Sequence, residues 1–411
     1  MKKFLILSYS ISGMGGGQMY QYNKLKFMKA HGYETYLFYA VPGKIIIKEI
    51  EDVAQIGCLN LINTDPRILS QKEIQKKLSE MSFILGYEST ELIIECCNKT
   101  TSLWGELLAE KLHGFSYSLI LDEKIGSMDN QLKAFFGYKR EKNELKGVKN
   151  ETYEMIFGGQ AVPINYQYCL PIAGNNVVSD VMFDDIIDKN IVYDLKICSI
   201  GRLDKDYVQT LVEQILRYAQ NNNNMRICMS LLGSSPKCRV EKAIKEKVKD
   251  RPNLDVYFWG AMFPIPEKLL YEFDVFISSA GSARVSGDRG IPTITVDARD
   301  HMAIGVYEYE TDNTVFRKNE PKIPIAEKLS YVVDNYDKIK KELYVKSALN
   351  FDEVFGKHLE YYKTHINTKE YYDVLSMKLS KEKIVEKVIY AIFGKKIYEC
   401  IRKIAFSKLQ R

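Results

Sequence analysis

Short apolar runs alternate with longer amphipathic segments along most of the chain. In the first half these apolar runs lie at Phe4–Tyr9, Glu34–Ala40, Glu91–Cys97 and Tyr117–Glu123, with helix-like segments between them. Strands that are apolar on both faces are typical of a parallel sheet covered by helices. The pattern therefore predicts a doubly wound α/β domain in the first half.

The same alternation starts again after an irregular stretch rich in Gly, Pro and Asn that ends near Lys189. The chain has 411 residues, which is more than one hydrophobic core usually serves. We predict an N-terminal Rossmann-like domain over residues 1–175 and a C-terminal Rossmann-like domain over residues 190–345. Residues 346–411 are expected to form a helical extension that packs back on the N-terminal domain or on a membrane.

The end of this extension, Lys378–Arg411, is basic and amphipathic. It holds ten Lys or Arg and three Glu, a net charge of +7, whereas the whole chain carries +5. Apolar residues recur at helical spacing with lysines between them, and Gly394 is expected to break the helix. Two interpretations stay open: the helix lies on an anionic membrane surface, or it packs on the protein with its lysines in water.

The overall composition excludes several classes of protein. Hydrophobic residues make up 46% and charged residues 27%, as in soluble globular proteins. Because the rest of the chain is nearly neutral, we expect no nucleic-acid partner. The eight cysteines form no CxxC pair, which argues against a zinc site and for a reducing compartment.

No stretch of the sequence approaches the roughly 18 apolar residues of a membrane span. We interpret the short apolar run near the beginning as the first strand of the fold and not as a signal peptide, because it leads directly into a glycine loop and a helix. We expect a cytoplasmic protein, with peripheral attachment to the inner face of the cell membrane left open.

A glycine cluster, including Gly15, Gly16 and Gly17, follows the first strand and precedes a helix. It is not a dinucleotide fingerprint, since Gln18 stands where the third glycine is required, and no GK[ST] follows. What remains is a loop without side chains at the carboxyl edge of a sheet. Such a loop permits the close approach of a sugar or phosphate, and we assign it to the acceptor side.

Two cations follow the first strand of the second half. Gly201 ends this strand, and Arg202 and Lys205 come directly after it. A guanidinium binds a diphosphate through its planar fork and an ammonium acts as a point charge. The alternative is a surface turn with two solvated cations.

The segment Phe276–Asp297, FISSAGSARVSGDRGIPTITVD, predicts a strand, a small-residue loop, a short helix and a second strand. A helix that begins near Ser282 would direct its first N–H groups toward an anion, and Gly281 removes bulk at that point. The alternative is a tight turn with no ligand.

These motifs together resemble the GT-B glycosyltransferases, particularly the family-4 group that builds bacterial surface polysaccharides. The resemblance is carried in order by GGGQ, IGRLDK, MSLLGSSP, VYFWG, and DVFISSAGS through GDRGIPTITVD, and it covers most of residues 1–300. It implies two Rossmann-like domains facing across a cleft, with the nucleotide sugar on the C-terminal domain. It also implies that Arg202 and Lys205 contact the diphosphate and that Gly16 and Gly17 line the cleft.

The sequence departs from this family at its acidic pair. The family places two glutamates eight residues apart where this chain has Ile277 and Val285. The segment also resembles the SxAGxS loop of lipid-linked N-acetylglucosamine transferases. In that comparison Asp288, displaced by a few residues, is the available acid, and we assign it to the donor site.

A catalytic base is expected at the carboxyl end of an N-terminal strand. Glu123 is the first candidate and Asp122 the second, at a position where many family members carry a histidine; Glu95 is a weaker candidate. Such a carboxylate could deprotonate an acceptor hydroxyl, or it could simply cap a helix or lie in a loop. Asp204 and Asp206 spell a DxD motif, but the motif overlaps the cation pair, so we predict neither a metal nor a cofactor.

The sequence therefore predicts a metal-independent hexosyltransferase. Its co-substrate would be a nucleoside-diphosphate-sugar, and it would transfer the sugar to a glycan or lipid-linked acceptor. The reaction would belong to bacterial surface polysaccharide or glycoconjugate assembly. Two alternatives remain. One is a sugar-nucleotide epimerase on the same fold, and the other is a non-catalytic partner that binds a glycan or stabilises a transferase.

Overall fold

The structure, a computed structural model, describes thirteen stretches of the chain. They are residues 2–11, 16–43, 45, 47–60, 62–86, 91–120, 128–147, 150–158, 169–174, 177–178, 182–346, 350–366 and 369–409. The chain divides into two compact units: residues 1–13, 20–173 and 350–411 form the first, and residues 14–19 and 174–349 form the second.

The first unit contains a six-stranded parallel sheet. Its elements are β1 (Lys2–Ser8), α1 (Gly16–Ala30), β2 (Tyr33–Tyr39), α2 (Ile50–Val53), β3 (Gln55–Cys58), α3 (Gln71–Leu85), β4 (Glu91–Cys96), α4 (Lys99–Leu112), β5 (Phe115–Ile120), α5 (Asn130–Glu141), β6 (Leu145–Gly147) and α6 (Asn150–Phe157). The strand order is β3-β2-β1-β4-β5-β6. The order reverses between β1 and β4, as a doubly wound sheet requires.

The second unit repeats this plan. Its elements are β7 (Val177–Val178), β8 (Leu195–Ile200), α7 (Asp206–Asn221), β9 (Ile227–Leu232), α8 (Arg239–Val248), β10 (Leu254–Gly260), β11 (Ile265–Pro266), α9 (Glu267–Leu270), β12 (Val275–Ser278), α10 (Gly281–Gly287), β13 (Thr293–Val296), β14 (Ala303–Val306), α11 (Ile325–Asp334) and α12 (Tyr336–Glu342). The main sheet has the order β10-β9-β8-β12-β13-β14, with β14 antiparallel. The predicted α/β class is confirmed in both halves.

The C-terminal residues cover both faces of the first sheet. Helix α13 (Phe351–His365) places Phe355 and Tyr362 in the core on the side of α1, while Val374 and Tyr390 lie in the core on the opposite side, with α3 and α4. The last helix, α14 (Lys381–Leu409), is kinked at Gly394 (φ 70°, ψ 176°), where the sequence predicted a break.

Below α13, the first core contains a buried cluster of polar side chains. Lys24 has its ammonium 4.9 Å from the ring centre of Phe355 and 5.1 Å from that of Tyr362, and the group has no hydrogen-bond partner. Burial lowers the pKa of Lys24 from 10.5 to about 7, and Glu95 partly offsets the effect. Burial also raises the pKa of Glu95 and lowers that of His358, whose ring nitrogen Nδ1 has no partner either. Helix α13 thus contributes to the burial that lowers the pKa of Lys24.

Lys24 should make stability depend on pH. At pH values below about 7, Lys24 is charged in the folded and unfolded states, so the burial penalty is fully present. Between about 7 and 10.5 the unfolded chain binds a proton that the folded chain does not. The free energy of unfolding then rises with pH, by up to about 1.4 kcal/mol per pH unit from this group.

Urea unfolding at pH 7.5 to 9.5, compared between the wild type and Lys24→Met, measures this contribution. We expect the variant to lose the rise that Lys24 contributes. Lys26→Met removes an exposed lysine from the same helix and should keep the wild-type slope. An unchanged slope in Lys24→Met would mean that Lys24 is not deprotonated in the folded state at these pH values.

Candidate functional site

The strand order of the second sheet creates one place where a ligand can enter between strands. The chain runs from β8 to β9 and β10 on one side and then returns to β12 on the other side of β8. The loops after β8 and β12 therefore leave the sheet in opposite directions. Ligands of open α/β sheets bind in the crevice that this divergence leaves at the carboxyl ends of the strands.

The loop after β8 begins with a glycine in a conformation that other residues rarely adopt. Gly201 has φ 143° and donates its N–H to the carbonyl of Leu232 at 3.0 Å. The neighbouring strand β9 ends in Gly233, where a Cβ would lie 1.8 Å from the carbonyl oxygen of Gly201. Gly201 is required by its positive φ, and Gly233 is required because the two backbones approach so closely at the edge of the site.

The loop after β12 lies beside this glycine pair. The N–H of Ile200 donates to the Ser278 hydroxyl at 3.0 Å, which ties β8 to β12 where both strands end. Ala280 follows with φ 57° and ψ −137°, a strained backbone held by its N–H bond of 2.6 Å to the carbonyl of Thr314. This sharp turn allows α10 to begin at Gly281, directly after the strand.

The predicted residues Gly201, Gly281 and Ser282 converge at this edge. A Cβ built on Gly201 would lie 3.5 Å from the Ser282 hydroxyl oxygen and 3.5 Å from the Tyr207 hydroxyl oxygen. Gly281 is exposed, and a Cβ there would meet nothing within 4 Å. The N–H of Ala283 donates to the carbonyl of Ala280 at 3.1 Å, so the donors that the start of α10 can offer at this edge are the N–H groups of Gly281 and Ser282.

Both predicted cations are in the loop that follows β8. Arg202 is 54% exposed, and its Nε lies 3.4 Å from a carboxylate oxygen of Asp204. Lys205 is half-buried and stands at the N-cap of α7. An exposed ion pair of this kind contributes little to stability, so Arg202 can exchange Asp204 for another anion at small cost.

Asp288 lies at the other end of α10. It follows the last residue of the helix, where it accepts a 3.2 Å hydrogen bond from the Tyr307 hydroxyl and lies 3.6 Å from the Lys346 ammonium. Because α10 runs back from the end of β12 toward the start of the parallel strand β13, Asp288 is carried away from Gly281. The structure does not bring Asp288 to the edge formed by Gly201 and Ser282.

Apolar residues occupy the two positions where the family resemblance expects glutamates. Ile277 is fully buried in β12, and Val285 on α10 is half-buried against the neighbouring core. The described residues contain no group of three or more His, Cys, Asp or Glu that could hold a metal ion.

Several residues predicted for the acceptor side or as the base lie outside the described part of the chain. These are Gly15, Asp122 and Glu123. Gly16 and Gly17 form the first turn of α1, and a Cβ on either would meet nothing within 4 Å.

The prediction of Glu95 as a weaker candidate for the catalytic base is wrong, because an acceptor cannot contact it. It is fully buried and accepts hydrogen bonds from the hydroxyls of Tyr20 and Tyr117. The Tyr117 hydroxyl is in turn hydrogen-bonded to the hydroxyl of Tyr362 on α13, with 2.6 Å between the two oxygens. Glu95 points to the face of the first sheet that α13 covers, so an acceptor cannot reach it in this conformation.

Two polar arrangements at the strand ends were not predicted from the sequence. Gln21 is 3% exposed, donates to the Ser8 hydroxyl at 2.8 Å at the end of β1, and leaves its Oε1 without a partner. In the second unit, Glu241 accepts from the N–H (2.8 Å) and the hydroxyl of Ser235 and holds the loop after β9. The Gly-Ser-Ser-Pro run indicated a structured loop at Ser235, but no sequence pattern indicated the contact between Gln21 and Ser8.

Solved structures share the fold of this chain. A glycosyltransferase from Rickettsia africae ESF-5 aligns with a TM-score of 0.62 at 14% identity, over 89% of this chain and 99% of the other. Anabaena Alr3699/HepE, solved with UDP and glucose, gives 0.59 at 12% identity, over 89% and 100%. A putative UDP-N-acetylglucosamine 2-epimerase from Listeria monocytogenes gives 0.51 at 10% identity, over 89% and 97%.

Neither a protein-family model nor a curated protein sequence matches the chain. At these identities the structural likeness establishes the fold alone. The two Rossmann-like sheets of mostly parallel strands, together with the helical C-terminal region, have the GT-B fold.

The glycine pair at the site can be tested by stability. Gly233→Ala would force its new methyl group into the carbonyl of Gly201, and we expect the free energy of unfolding to fall by about 1–3 kcal/mol. Gly281→Ala places the same methyl group in open space and should change stability by less than about 0.5 kcal/mol. Urea unfolding of both variants measures the difference, and equal stability of the two would contradict the described approach.

Proposed function

We propose that this protein is a glycosyltransferase that moves a sugar from a nucleoside diphosphate to a glycan acceptor. The proposal is carried by one observation: Gly201, Gly281 and Ser282 converge at the reversal of strand order in the second sheet, with Arg202 and Lys205 in the adjoining loop. The fold is that of a glycosyltransferase and of a protein solved with UDP and glucose, which supports UDP as the nucleotide to test first.

In this proposal the diphosphate lies over the glycine edge. The first N–H groups of α10 and the Ser282 hydroxyl contact its oxygens, and open space above Gly281 admits the phosphate groups. Arg202 gives up Asp204 and pairs with the diphosphate, with Lys205 beside it. Once paired with the diphosphate, the two cations stabilise the charge that develops on the leaving group.

The chemistry balances without a redox step. The bond between the sugar anomeric carbon and the diphosphate oxygen breaks, and its electron pair leaves with the nucleoside diphosphate. The acceptor oxygen forms the new bond to the anomeric carbon, and its proton passes to a base. Glu123 and Asp122 remain the predicted bases, and the acceptor-side glycines remain a prediction.

The finer assignments rest on the sequence. We propose a hexosyl donor, transfer without a metal, and a glycan or lipid-linked acceptor of bacterial surface polysaccharide or glycoconjugate assembly in the cytoplasm. We also propose Asp288 as a donor-site residue. Because Asp288 now contacts Tyr307 and Lys346, α10 or its neighbours would have to move for it to reach the donor.

Two other functions have observations in their favour. The shared fold with a putative 2-epimerase supports a sugar-nucleotide epimerase, which would yield an isomeric sugar nucleotide when no acceptor is present. The apolar residues Ile277 and Val285 support a non-catalytic partner, which would not turn over any sugar nucleotide.

Arg202→Ala tests the donor site. We expect turnover of the sugar nucleotide to fall about tenfold or more, equivalent to at least ~1.4 kcal/mol of transition-state stabilisation. Arg202→Lys should keep part of the activity, since it keeps the charge but not the fork. Release of nucleoside diphosphate and calorimetric binding of UDP and GDP measure the two effects.

Arg217→Ala is the matched control, because Arg217 is an exposed arginine near the far end of α7, the helix that follows the Arg202 loop. It should leave turnover and binding unchanged. Wild-type turnover and nucleotide affinity in Arg202→Ala would remove this residue from the site. Failure of the wild-type protein to bind any nucleotide would favour the non-catalytic partner.

A further inference from the structure

The last helix is attached to the first unit by its tyrosines. Tyr390 is 8% exposed and donates to a Glu73 carboxylate oxygen on α3 at 2.7 Å. Tyr398 is 3% exposed and packs in the first core, while its hydroxyl donates to Glu386 of α14 itself at 2.7 Å. Ile389 also packs against the first core. These contacts fix which side of α14 faces the protein.

Much of the remaining surface of α14 is apolar and exposed. We call its exposed members the apolar stripe: Ile384 (50% exposed), Val385 (57%), Val388 (49%), Ile392 (67%) and Phe393 (52%), followed beyond Gly394 by Ile397 (47%) and Ile401 (41%). A surface helix normally turns its apolar stripe to the core and its polar side to water. Here the large aliphatic residues face outward, and a contiguous patch of this kind marks an interaction surface.

The charge around the apolar stripe is positive. The segment Lys378–Arg411 carries ten Lys or Arg and three Glu, and two of these glutamates are paired within α14, Glu386 with Lys383 at 2.7 Å and Glu399 with Lys395 at 3.7 Å. Lys381 and Lys396 are exposed on the same helix as the apolar stripe. The surface thus joins apolar bulk with an excess of cations.

We propose that α14 lies in the plane of an anionic phospholipid bilayer, with the apolar stripe at the level of the headgroups and acyl chains. Apolar residues with flanking lysines are the signature of helices that lie at such an interface, and an anionic leaflet attracts each lysine near it. Among the residues that the structure describes, no helix is long and apolar enough to cross a membrane.

A second copy of this chain is a poorer occupant of the same surface. Two α14 helices brought together by their apolar stripes would also bring together two segments of net charge +7. Like charges brought together across an interface oppose association, whereas anionic lipid neutralises them. The inference is independent of the proposed transferase activity, and it would hold for either alternative function.

Co-sedimentation of the full-length protein with vesicles tests the proposal. We expect binding to vesicles of phosphatidylglycerol and phosphatidylcholine, weaker binding at high salt, and at least tenfold weaker binding to pure phosphatidylcholine. Ile392→Glu should lower the affinity for anionic vesicles at least tenfold, because it puts a carboxylate into the apolar stripe. Val192→Glu, an equally drastic change at an 86% exposed residue of the second unit, should bind as the wild type does.

Lys381→Glu with Lys396→Glu keeps the apolar stripe and reverses two charges, and it should also lose binding to anionic vesicles. If thermal denaturation shows that Ile392→Glu is unstable, the double lysine variant alone tests whether α14 binds anionic vesicles. Wild-type binding by both variants overturns the proposal. So does a lipid-free dimer, seen by light scattering, that Ile392→Glu converts to a monomer, because the apolar stripe would then belong to a second copy.

Discussion

A parallel sheet must be covered on both faces, and this constraint governs the first unit. Phe4 and Ile6 point to one side of β1, and Leu5 and Leu7 point to the other. The helices of residues 16–157 do not complete either layer, and the C-terminal segment supplies α13 on one face and Tyr390 and Tyr398 on the other. The last sixty residues are therefore a structural part of the first unit.

This dependence explains why polar groups are buried beneath α13. Lys24 is surrounded by aromatic rings from α1, β1 and α13, and Glu95 is held by tyrosines from α1 and β5. Burying charged groups without full hydrogen bonding costs free energy, so the cluster is not explained by stability alone. Phe355 and Tyr362 of α13 complete the surroundings in which the pKa of Lys24 is lowered.

The second unit shows how a site arises from backbone geometry. The reversal of strand order beside β8 leaves a crevice, the close approach of Gly233 and Gly201 brings the loop after β8 against its neighbour, and the turn at Ala280 starts α10 at the edge. Few side chains are needed for this. In the proposed donor site, the two cations and the Ser282 hydroxyl are the groups that would favour an anion at this edge.

The sequence by itself determined the two series of strands, the glycines at the strand ends and the cations after β8, because apolar periodicity and glycine placement are local properties of the chain. It also indicated the break at Gly394. Only the tertiary structure decided that Asp288 is carried to the far end of α10, that Glu95 is sealed beneath α13, and that α14 turns Tyr390 inward and Ile392 outward. These outcomes depend on which elements pack together, and residues far apart in the sequence make that choice.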